Sequence, residues 1–232
     1  MKIFAISDLH LSTVEPKPMD IFGGNWDDYW QKIECDWQQK VGDDDVVLIP
    51  GDTSWAMRMC DAIPDLEKIA KLKGKKVLLR GNHDYWWNTI GKVRNALPEG
   101  MFAVQNDCIR FGNLLVCGSR GWTCPDKGPL DEQDQKIYLR EAERIKLSFE
   151  QMSKMRQPDD KVVCMMHFPP FNVRREDSEY TKLIIKYDID AVVYGHLHGK
   201  DCRADLVVEK FGTKFYLTST DLVGHKLTEI NL

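Results

Sequence analysis

Short runs of apolar residues alternate along the chain with longer segments in which apolar residues recur at helical spacing. Consecutive apolar residues that include β-branched side chains are typical of buried strands. Five such runs predict buried strands: residues 2–7, 46–49, 77–79, 162–166 and 191–194. Shorter runs predict further strands at 102–104, 108–111 and 114–117, through Val207, and at 215–217 and 227–230.

The segments between these runs predict helices. An apolar stripe that includes three tryptophans predicts a helix between Asn25, interpreted as its N-cap, and Gly42. Further helices are predicted at 64–73 with Pro64 in the first turn, from near Tyr85 with Asp84 as its cap, at 131–156 and at 176–187. This alternation indicates an α/β fold with mixed sheets and outer helices, and the length favours one domain over residues 1–232.

The strand predicted at 191–194 runs directly into Gly195-His196-Leu197-His198. Two histidines one residue apart after a glycine allow two interpretations. One is a β-turn that happens to contain them, and the other is a sharp turn that directs both imidazoles at neighbouring metal ions. Five of the six histidines follow predicted strands, which core packing does not explain.

The ends of other predicted strands carry carboxylates, an amide and more histidines. These residues are Asp8, His10, Asp52, Asn82, His83 and His167. Sites in α/β sheets form beyond the carboxyl ends of the strands, so these side chains are expected to meet there. Mixed oxygen and nitrogen ligands suit Mn, Fe, Zn or Ni. The set contains no cysteine, which argues against a closed structural zinc site.

The polar segments, taken in order, resemble the signature of the calcineurin-like metallophosphoesterase superfamily, and in particular its small bacterial-type predicted phosphohydrolases. They are Asp8-Leu9-His10, Gly51-Asp52, Gly81-Asn82-His83-Asp84, His167 and Gly195-His196-Leu197-His198. The resemblance spans nearly the whole chain. It implies a four-layer αββα sandwich, in which two mixed β-sheets are flanked by helices and a two-metal centre lies at one edge.

The resemblance also implies a set of metal ligands. The first ion would be held by Asp8, His10 and His198, the second by Asn82, His167 and His196, and Asp52 would bridge both. Two cations about 3.5 Å apart repel each other, so an anionic bridge is needed between them. The implied function is a two-metal-dependent phosphohydrolase that cleaves a small phosphomonoester or phosphodiester by in-line attack of a metal-bridging hydroxide.

His83 belongs to the same motif but is not a metal ligand in the resembling family. This implies a catalytic role, in which it stabilises or protonates the leaving oxygen. In the protein-phosphatase branch an aspartate three residues after the bridging one orients this histidine, and here that position is Trp55. The segment 51–55 also lacks the arginine that this branch uses on phosphate. A protein phosphatase is therefore a poor match, and His83 lacks the carboxylate that would orient it in that branch.

Several residues near the motifs are candidates for substrate contact. The substrate-binding candidates are Arg120, Trp122 and Asn82. Arg120 is interpreted as either a phosphate clamp or an ordinary exposed arginine, and Arg174 and Arg175 present the same choice. Aromatic residues beside the motifs, Tyr85 among them, are interpreted mainly as packing. His225 lies in a short polar turn and is interpreted as a surface residue.

The amino-acid composition limits which binding partners and which cellular location are expected. A net charge of -4 argues against a nucleic-acid partner, so we expect a small phosphorylated metabolite, with a nucleotide-like compound as one candidate. Seven scattered cysteines and the lack of a long apolar stretch predict a cytoplasmic protein without a membrane partner. Two alternatives remain open. A nuclease of the same superfamily would show a basic surface, and a non-catalytic metal-binding scaffold would have lost ligands.

Overall fold

Within the residues that the structure describes, 1–19 and 26–232, the computed structural model contains eleven strands and five α-helices. The strands are β1 (Ile3–Ala5), β2 (Val46–Pro50), β3 (Lys75–Leu79), β4 (Met101–Val104), β5 (Asp107–Phe111), β6 (Leu114–Gly118), β7 (Lys161–Met165), β8 (Ala191–Tyr194), β9 (Val207–Lys210), β10 (Thr213–Leu217) and β11 (Thr228–Glu229). The helices are α1 (Tyr29–Lys40), α2 (Met59–Ala70), α3 (Ile90–Ala96), α4 (Glu132–Met155) and α5 (Glu179–Lys186).

The strands of the described chain form two mixed sheets. In the first, the order is β11-β1-β2-β3-β4, with β1 to β4 parallel and β11 antiparallel at one edge. In the second, the order is β5-β6-β7-β8-β10-β9. Its four inner strands are parallel, and both edge strands are antiparallel. The predicted fold class, two mixed sheets with helices, is confirmed.

Apolar clusters among the described residues define the order of the layers. One face of the first sheet shares a cluster with α1, α2 and α3, in which Trp37 is fully buried. The other face meets the second sheet in a cluster that includes Leu48 and Val163. The outer face of the second sheet shares a cluster with α4 and α5, including Phe149 and Ile184. The layers are therefore helix, sheet, sheet and helix, as the resemblance implied.

The inner strands are buried on both faces, which explains why their sequences are continuous apolar runs. All positions of β2 and β8 are buried. The long helix α4 matches its prediction: Asp131 caps it by accepting a hydrogen bond from the backbone N–H of Asp134, and the apolar stripe from Tyr138 to Met152 is buried. No helix in the described part of the chain has the length and apolar character needed to cross a bilayer.

The predicted start of α2 is wrong. The helix begins at Met59, so Pro64 lies inside it and not in its first turn. Pro64 is the sixth residue of this helix, so its missing N–H costs one backbone hydrogen bond within the helix. Burial of Ala62 ahead of the proline, and of Leu66 and Ile69 after it, supports the longer helix.

The predicted helix after the third strand is also misplaced. Helix α3 begins at Ile90 and not near Tyr85, and the residue before it is Thr89, so Asp84 caps no helix there. The carboxylate of Asp84 instead binds backbone N–H groups of a neighbouring strand end, as described below. The predicted N-cap Asn25, like residues 20–24, lies outside the described residues. The helix that follows begins at Tyr29, after Asp28.

Candidate metal centre

The carboxyl ends of β1, β2, β3, β7 and β8 meet at one edge of the two sheets. The backbone N–H of Asp8 donates to the carbonyl of Gly51 at 3.1 Å, which joins the ends of β1 and β2. Across the sheets, His167 Nδ1 lies 3.0 Å from the carbonyl oxygen of Pro50. The backbone N–H of His196 reaches both carboxylate oxygens of Asp8 at 3.1 Å. This convergence brings the predicted ligands together.

Two groups of possible ligand atoms form among the described residues. The first contains Asp8, His10 and His198, and the second contains Asp8, Asp52 and His167. In each group the ligand atoms lie within 4.8 Å of one another. The first group is the predicted ligand set of the first metal, brought from both sheets. The second group shows that the predicted bridging carboxylate lies beside a predicted ligand of the second metal.

Asp52 lies between the predicted ligands of the two ions. Its Oδ2 atom is 3.9 Å from His10 Nε2 and 3.4 Å from His167 Nε2. On the far side, the Oδ1 atom of Asn82 lies 2.7 Å from His167 Nε2 and 3.0 Å from His196 Nδ1. The predicted set of the second metal is thus assembled around Asn82, and one carboxylate oxygen faces both sets.

The donor set fits divalent cations. Asp8 and Asp52 are 0% and 1% exposed, and buried carboxylates are costly unless a cation or hydrogen bonds compensate them. Within the described part of the chain, Asp52 Oδ2 and both ring nitrogens of His10 are buried without a hydrogen-bond partner. Buried polar groups in folded proteins are nearly always satisfied. Metal coordination would satisfy these atoms, although ligation at each residue remains a prediction.

The burial of the site changes the protonation of its histidines. Burial lowers the pKa of His10 to about 3 and that of His196 to about 4, so both imidazoles are neutral with lone pairs available for a metal. Burial acts in the same direction on His167, but the carboxylates of Asp52 and Asp8 outweigh it and raise its pKa to about 9. His167 and Asp52 thus carry opposite charges 3.4 Å apart without a well-formed hydrogen bond, and His167 lowers the pKa of Asp52 despite burial.

The backbone turns sharply at the ligand positions. The φ angles of Asp8, His10, Asp52 and His196 are 56°, 48°, 52° and 70°. This left-handed region is costly for residues other than glycine, although Asp and His adopt it more often than most. The turns redirect these side chains beyond the strand ends, and their conformation was not predicted from the sequence.

Two glycines permit the close approach of neighbouring strand ends. A Cβ atom on Gly195 would lie 2.3 Å from Ser7 Oγ and 2.4 Å from Asp8 Oδ2. On Gly81 it would lie 2.1 Å from Asp52 Oδ1 and 2.3 Å from the backbone nitrogen of Asp52. Any side chain at either position would therefore displace a predicted ligand, as expected for the glycine at 195.

Asp84 holds the loop that carries Asp52, a role that sequence reasoning missed. One carboxylate oxygen of the fully buried Asp84 accepts from the backbone N–H groups of Asp52 and Gly81 at 2.9 and 2.8 Å. The other accepts from Thr53 and Ser54 at 2.9 and 3.2 Å and from the indole of Trp86. These bonds join the ends of β2 and β3. The sequence feature that could have indicated this role of Asp84 was its place in the Gly81-Asn82-His83-Asp84 motif.

His83 lies beside the predicted first-metal ligands. Its ring centroid is 5.9 Å from that of His10, and Trp55 packs against both rings, with centroids 4.7 Å from His10 and 4.5 Å from His83. The hydroxyl of Tyr85 lies 3.4 Å from His83 Nδ1. A tilted indole and a phenol hydroxyl thus lie beside His83 in place of the orienting aspartate, and the interpretation of Tyr85 as packing missed this hydroxyl.

The arginine candidates for substrate contact are engaged in ion pairs. The guanidinium of Arg120 lies 3.7 Å from the buried carboxylate of Glu141 and over the ring of Trp122, while its carbonyl accepts from the backbone N–H of His167. Arg174 pairs with Asp126 and Glu176, and Arg175 with Asp205. Their contact with a substrate therefore remains a prediction.

His225 is not a surface residue. It is 1% exposed, with Nδ1 lying 3.1 Å from Thr220 Oγ1 and its ring packed near Trp26 and Tyr29. The surface assignment failed because the polar turn folds inward: the backbone N–H of Thr220 donates to the carbonyl of Ser7, beside the strand end that carries Asp8.

A family model described as calcineurin-like phosphoesterase matches residues 1–200 of the chain. The chain belongs to the calcineurin-like phosphoesterase family. Membership and the Asp and His groups together support a metal-dependent phosphoesterase in general terms. All five motif segments of this family member lie within the matched residues.

Solved structures show the same fold. The protein of unknown function AQ665 from Aquifex aeolicus is 16% identical with a TM-score of 0.51, and the match covers 98% of this chain and 95% of the other. The protein TT1561 of Thermus thermophilus is 14% identical with a TM-score of 0.59, covering 99% and 97% of the two chains. At these identities the likeness concerns the fold alone. No curated protein sequence matches the chain.

Proposed function

We propose that this family member is a phosphohydrolase that uses two divalent metal ions to cleave a small phosphomonoester or phosphodiester. The position of Asp52 carries the proposal. Its Oδ2 atom faces His10 on one side and His167 on the other, and it has no hydrogen-bond partner among the described residues. A buried carboxylate oxygen between two sets of ligands is what a bridged pair of cations requires.

The residues around this carboxylate have separate roles in the proposal. The first ion would be held by Asp8, His10 and His198, the second by Asn82, His167 and His196, and Asp52 would be shared. When bound, the ions would supply a deprotonated water as nucleophile at neutral pH and neutralise charge on the phosphoryl oxygens. Asp84 positions Asp52 through the backbone of the loop that carries it.

His83 acts on the substrate in this proposal and not on the metals. Its backbone N–H donates to Asp52 Oδ1 at 2.8 Å, which ties its position to that of the bridge. Burial lowers the pKa of His83, so at neutral pH its ring is neutral and can donate one N–H to an oxygen of the phosphoryl or leaving group. The ring of Trp55, tilted against the imidazole, and the hydroxyl of Tyr85 hold His83 in place.

The proposed substrate is a small phosphorylated metabolite, with nucleotides among the candidates. A net charge of -4 opposes the binding of long polyanions, which depends on clustered Lys and Arg. The arginines considered for substrate contact already pair with carboxylates. Mn, Fe, Zn and Ni are the candidate metals, because the ligands are carboxylate, amide and imidazole.

Metal analysis of the purified protein tests the bridge. We expect two ions per chain, both weakened in Asp52→Asn because one carboxylate serves both, whereas His10→Ala mainly affects one. Asp65→Asn is the matched control, because Asp65 is equally buried but binds Ser54 and Thr13 instead of facing the ligands. A single tight ion that is unchanged in Asp52→Asn would contradict the proposal.

A hydrolysis screen at constant metal concentration tests the substrate class. It compares nucleotides, sugar phosphates and small diesters with phosphopeptides and with single- and double-stranded DNA. We expect the small esters to turn over fastest. Faster turnover of DNA than of every small ester would favour a nuclease, and faster turnover of phosphopeptides would favour a protein phosphatase.

A further inference from the structure

A cavity of about 620 Å³ opens directly beside the metal centre. His196, a predicted ligand of the second metal, forms part of its wall. The rest of the wall comes from residues 123–126, from the segments after β7 and after His196, and from β8 and β9. Small-molecule sites in proteins are clefts of roughly 300–1,000 Å³, so this volume suits part of a small ligand and not a folded partner.

Apolar side chains form the walls of this cavity. Those nearest the metal centre and the core are Phe168, Phe171, Tyr194, Leu197 and Val208. The ring of Phe168 lies 4.1 Å from that of His196, so the apolar wall begins at the ligand itself. Phe171 packs edge-on against Tyr194 at 6.1 Å and belongs to the core of the second sheet, which makes this wall rigid.

The carboxylates at the rim of the cavity are neutralised by arginines. Asp205 pairs with Arg175, and Asp126 pairs with Arg174. The Arg175–Asp205 pair also joins two segments of the wall across the rim. Arg203 donates to the main-chain carbonyls of its own loop. Away from this charged rim, a charged group would exchange water for apolar walls with little compensation, whereas an uncharged apolar group would gain by burial.

We propose that this cavity holds the organic group of the phosphoester, and that this group is uncharged and apolar, such as an aromatic ring or a short alkyl chain. The inference rests on the proposed function, because the phosphoryl group must lie at the metal centre for its substituent to reach past His196. Phe168 and Leu197 contact the start of this substituent, and Val208 and Phe171 contact its far end. These side chains would then determine which phosphoesters the site prefers.

Calorimetric titration of phosphonates into the metal-loaded protein tests this assignment without requiring turnover. Methylphosphonate, hexylphosphonate and benzylphosphonate share one anionic group and differ only in the apolar part. We expect the hexyl or the benzyl compound to bind on the order of 10- to 100-fold more tightly than methylphosphonate. Which of the two binds better distinguishes a chain from a ring.

Two exposed residues of the same segment provide a matched pair of variants. Ala204 lines the cavity, whereas the nearby Val207 does not line it and is 51% exposed. Ala204→Trp should remove most of the preference for the larger phosphonates and leave the affinity for methylphosphonate unchanged. Val207→Trp should leave both unchanged. Val173→Asp, at an exposed position of the cavity wall, should weaken the hexyl compound more than the methyl compound.

The outcomes separate this inference from the proposed function. Equal affinities for the three phosphonates, or a preference that survives both Ala204→Trp and Val173→Asp, would overturn the cavity assignment while leaving the metal centre intact. Methylphosphonate binding that does not depend on metal would instead contradict the proposed function. The kinetic counterpart is kcat/KM for methyl, hexyl and benzyl phosphate, which should follow the same order.

Discussion

The substitution Gly81→Ala adds one methyl group at the most crowded point of the metal centre. The new Cβ atom would lie 2.1 Å from Asp52 Oδ1 and 2.3 Å from its backbone nitrogen, where an ordinary contact is at least 3.4 Å. Part of this overlap is with the backbone, so a rotamer change of Asp52 cannot relieve it. The ends of β2 and β3 must separate by about 1 Å. A displacement of this size in a catalytic site can lower the reaction rate by about 10²-fold.

The magnitude follows from the cost of overpacking. Insertion of a methyl group into a well-packed region typically costs about 1–3 kcal/mol, and this overlap with the backbone places Gly81→Ala at or above the upper end. For a chain of this length about 3 kcal/mol lowers Tm by about 6–12 °C. Thermal unfolding of the metal-free protein measures the loss, and calorimetric metal titration should show weaker binding of both ions.

Gly91→Ala is the control for this substitution. Gly91 lies in α3, and a Cβ atom there meets nothing within 4 Å among the described residues. Alanine is favoured over glycine by about 0.5–1 kcal/mol in the middle of a helix and by less at this second helical position, so Gly91→Ala should raise Tm slightly at most and leave metal binding unchanged. The reasoning would be refuted if Gly81→Ala unfolded at the wild-type temperature with both ions bound, or if the two variants behaved alike.

Other variants test the residues around the bridge. Asp84→Asn should lower metal affinity by roughly 10–100-fold, as measured by calorimetry, because the amide presents a donor to backbone N–H groups; equal loss in Asp65→Asn would contradict this. His83→Ala should retain both ions and lose about 10²–10⁴-fold in kcat, and loss of metal would exclude the catalytic role. Tyr85→Phe should lower kcat less, with metal content unchanged. The pKa of His167 is raised to about 9, and a histidine that binds a metal must be neutral. Between pH 6.5 and 9, metal binding should therefore release about one proton, and the metal affinity should rise by about tenfold per pH unit. Calorimetry in two buffers of different ionisation enthalpy measures that proton.

Much of the architecture was predictable from local patterns. Buried parallel strands are continuous apolar runs, so β2 and β8 could be located within about one residue, and the 3.6-residue period located α4. The candidate ligands could also be named, because polar residues directly after apolar runs collect at one edge of the sheets. These features depend on residues close together in sequence.

Two of the predictions that failed, those for Asp84 and His225, depend on contacts distant in sequence. Asp84 looked like a helix cap because local reasoning considers the residues that follow it. Its partners Asp52, Thr53 and Ser54 lie 30–32 residues earlier. His225 looked exposed because its turn is polar, but the backbone of that turn binds the end of β1. The cavity beside His196 is likewise formed by segments that the sequence keeps well apart.

Both groups of ligand atoms take residues from both sheets, and this has a consequence for when the chain can acquire metal. One group joins the ends of β1 and β8, and the other joins β1, β2 and β7. Neither group exists until the two sheets have docked, so a folding intermediate with undocked sheets lacks a complete set of metal ligands. Metal uptake would therefore be a late event in maturation, and bound ions would stabilise only the finished protein. In a metal-poor cell the chain would fold first and acquire its ions afterwards, at a binding centre that is already assembled.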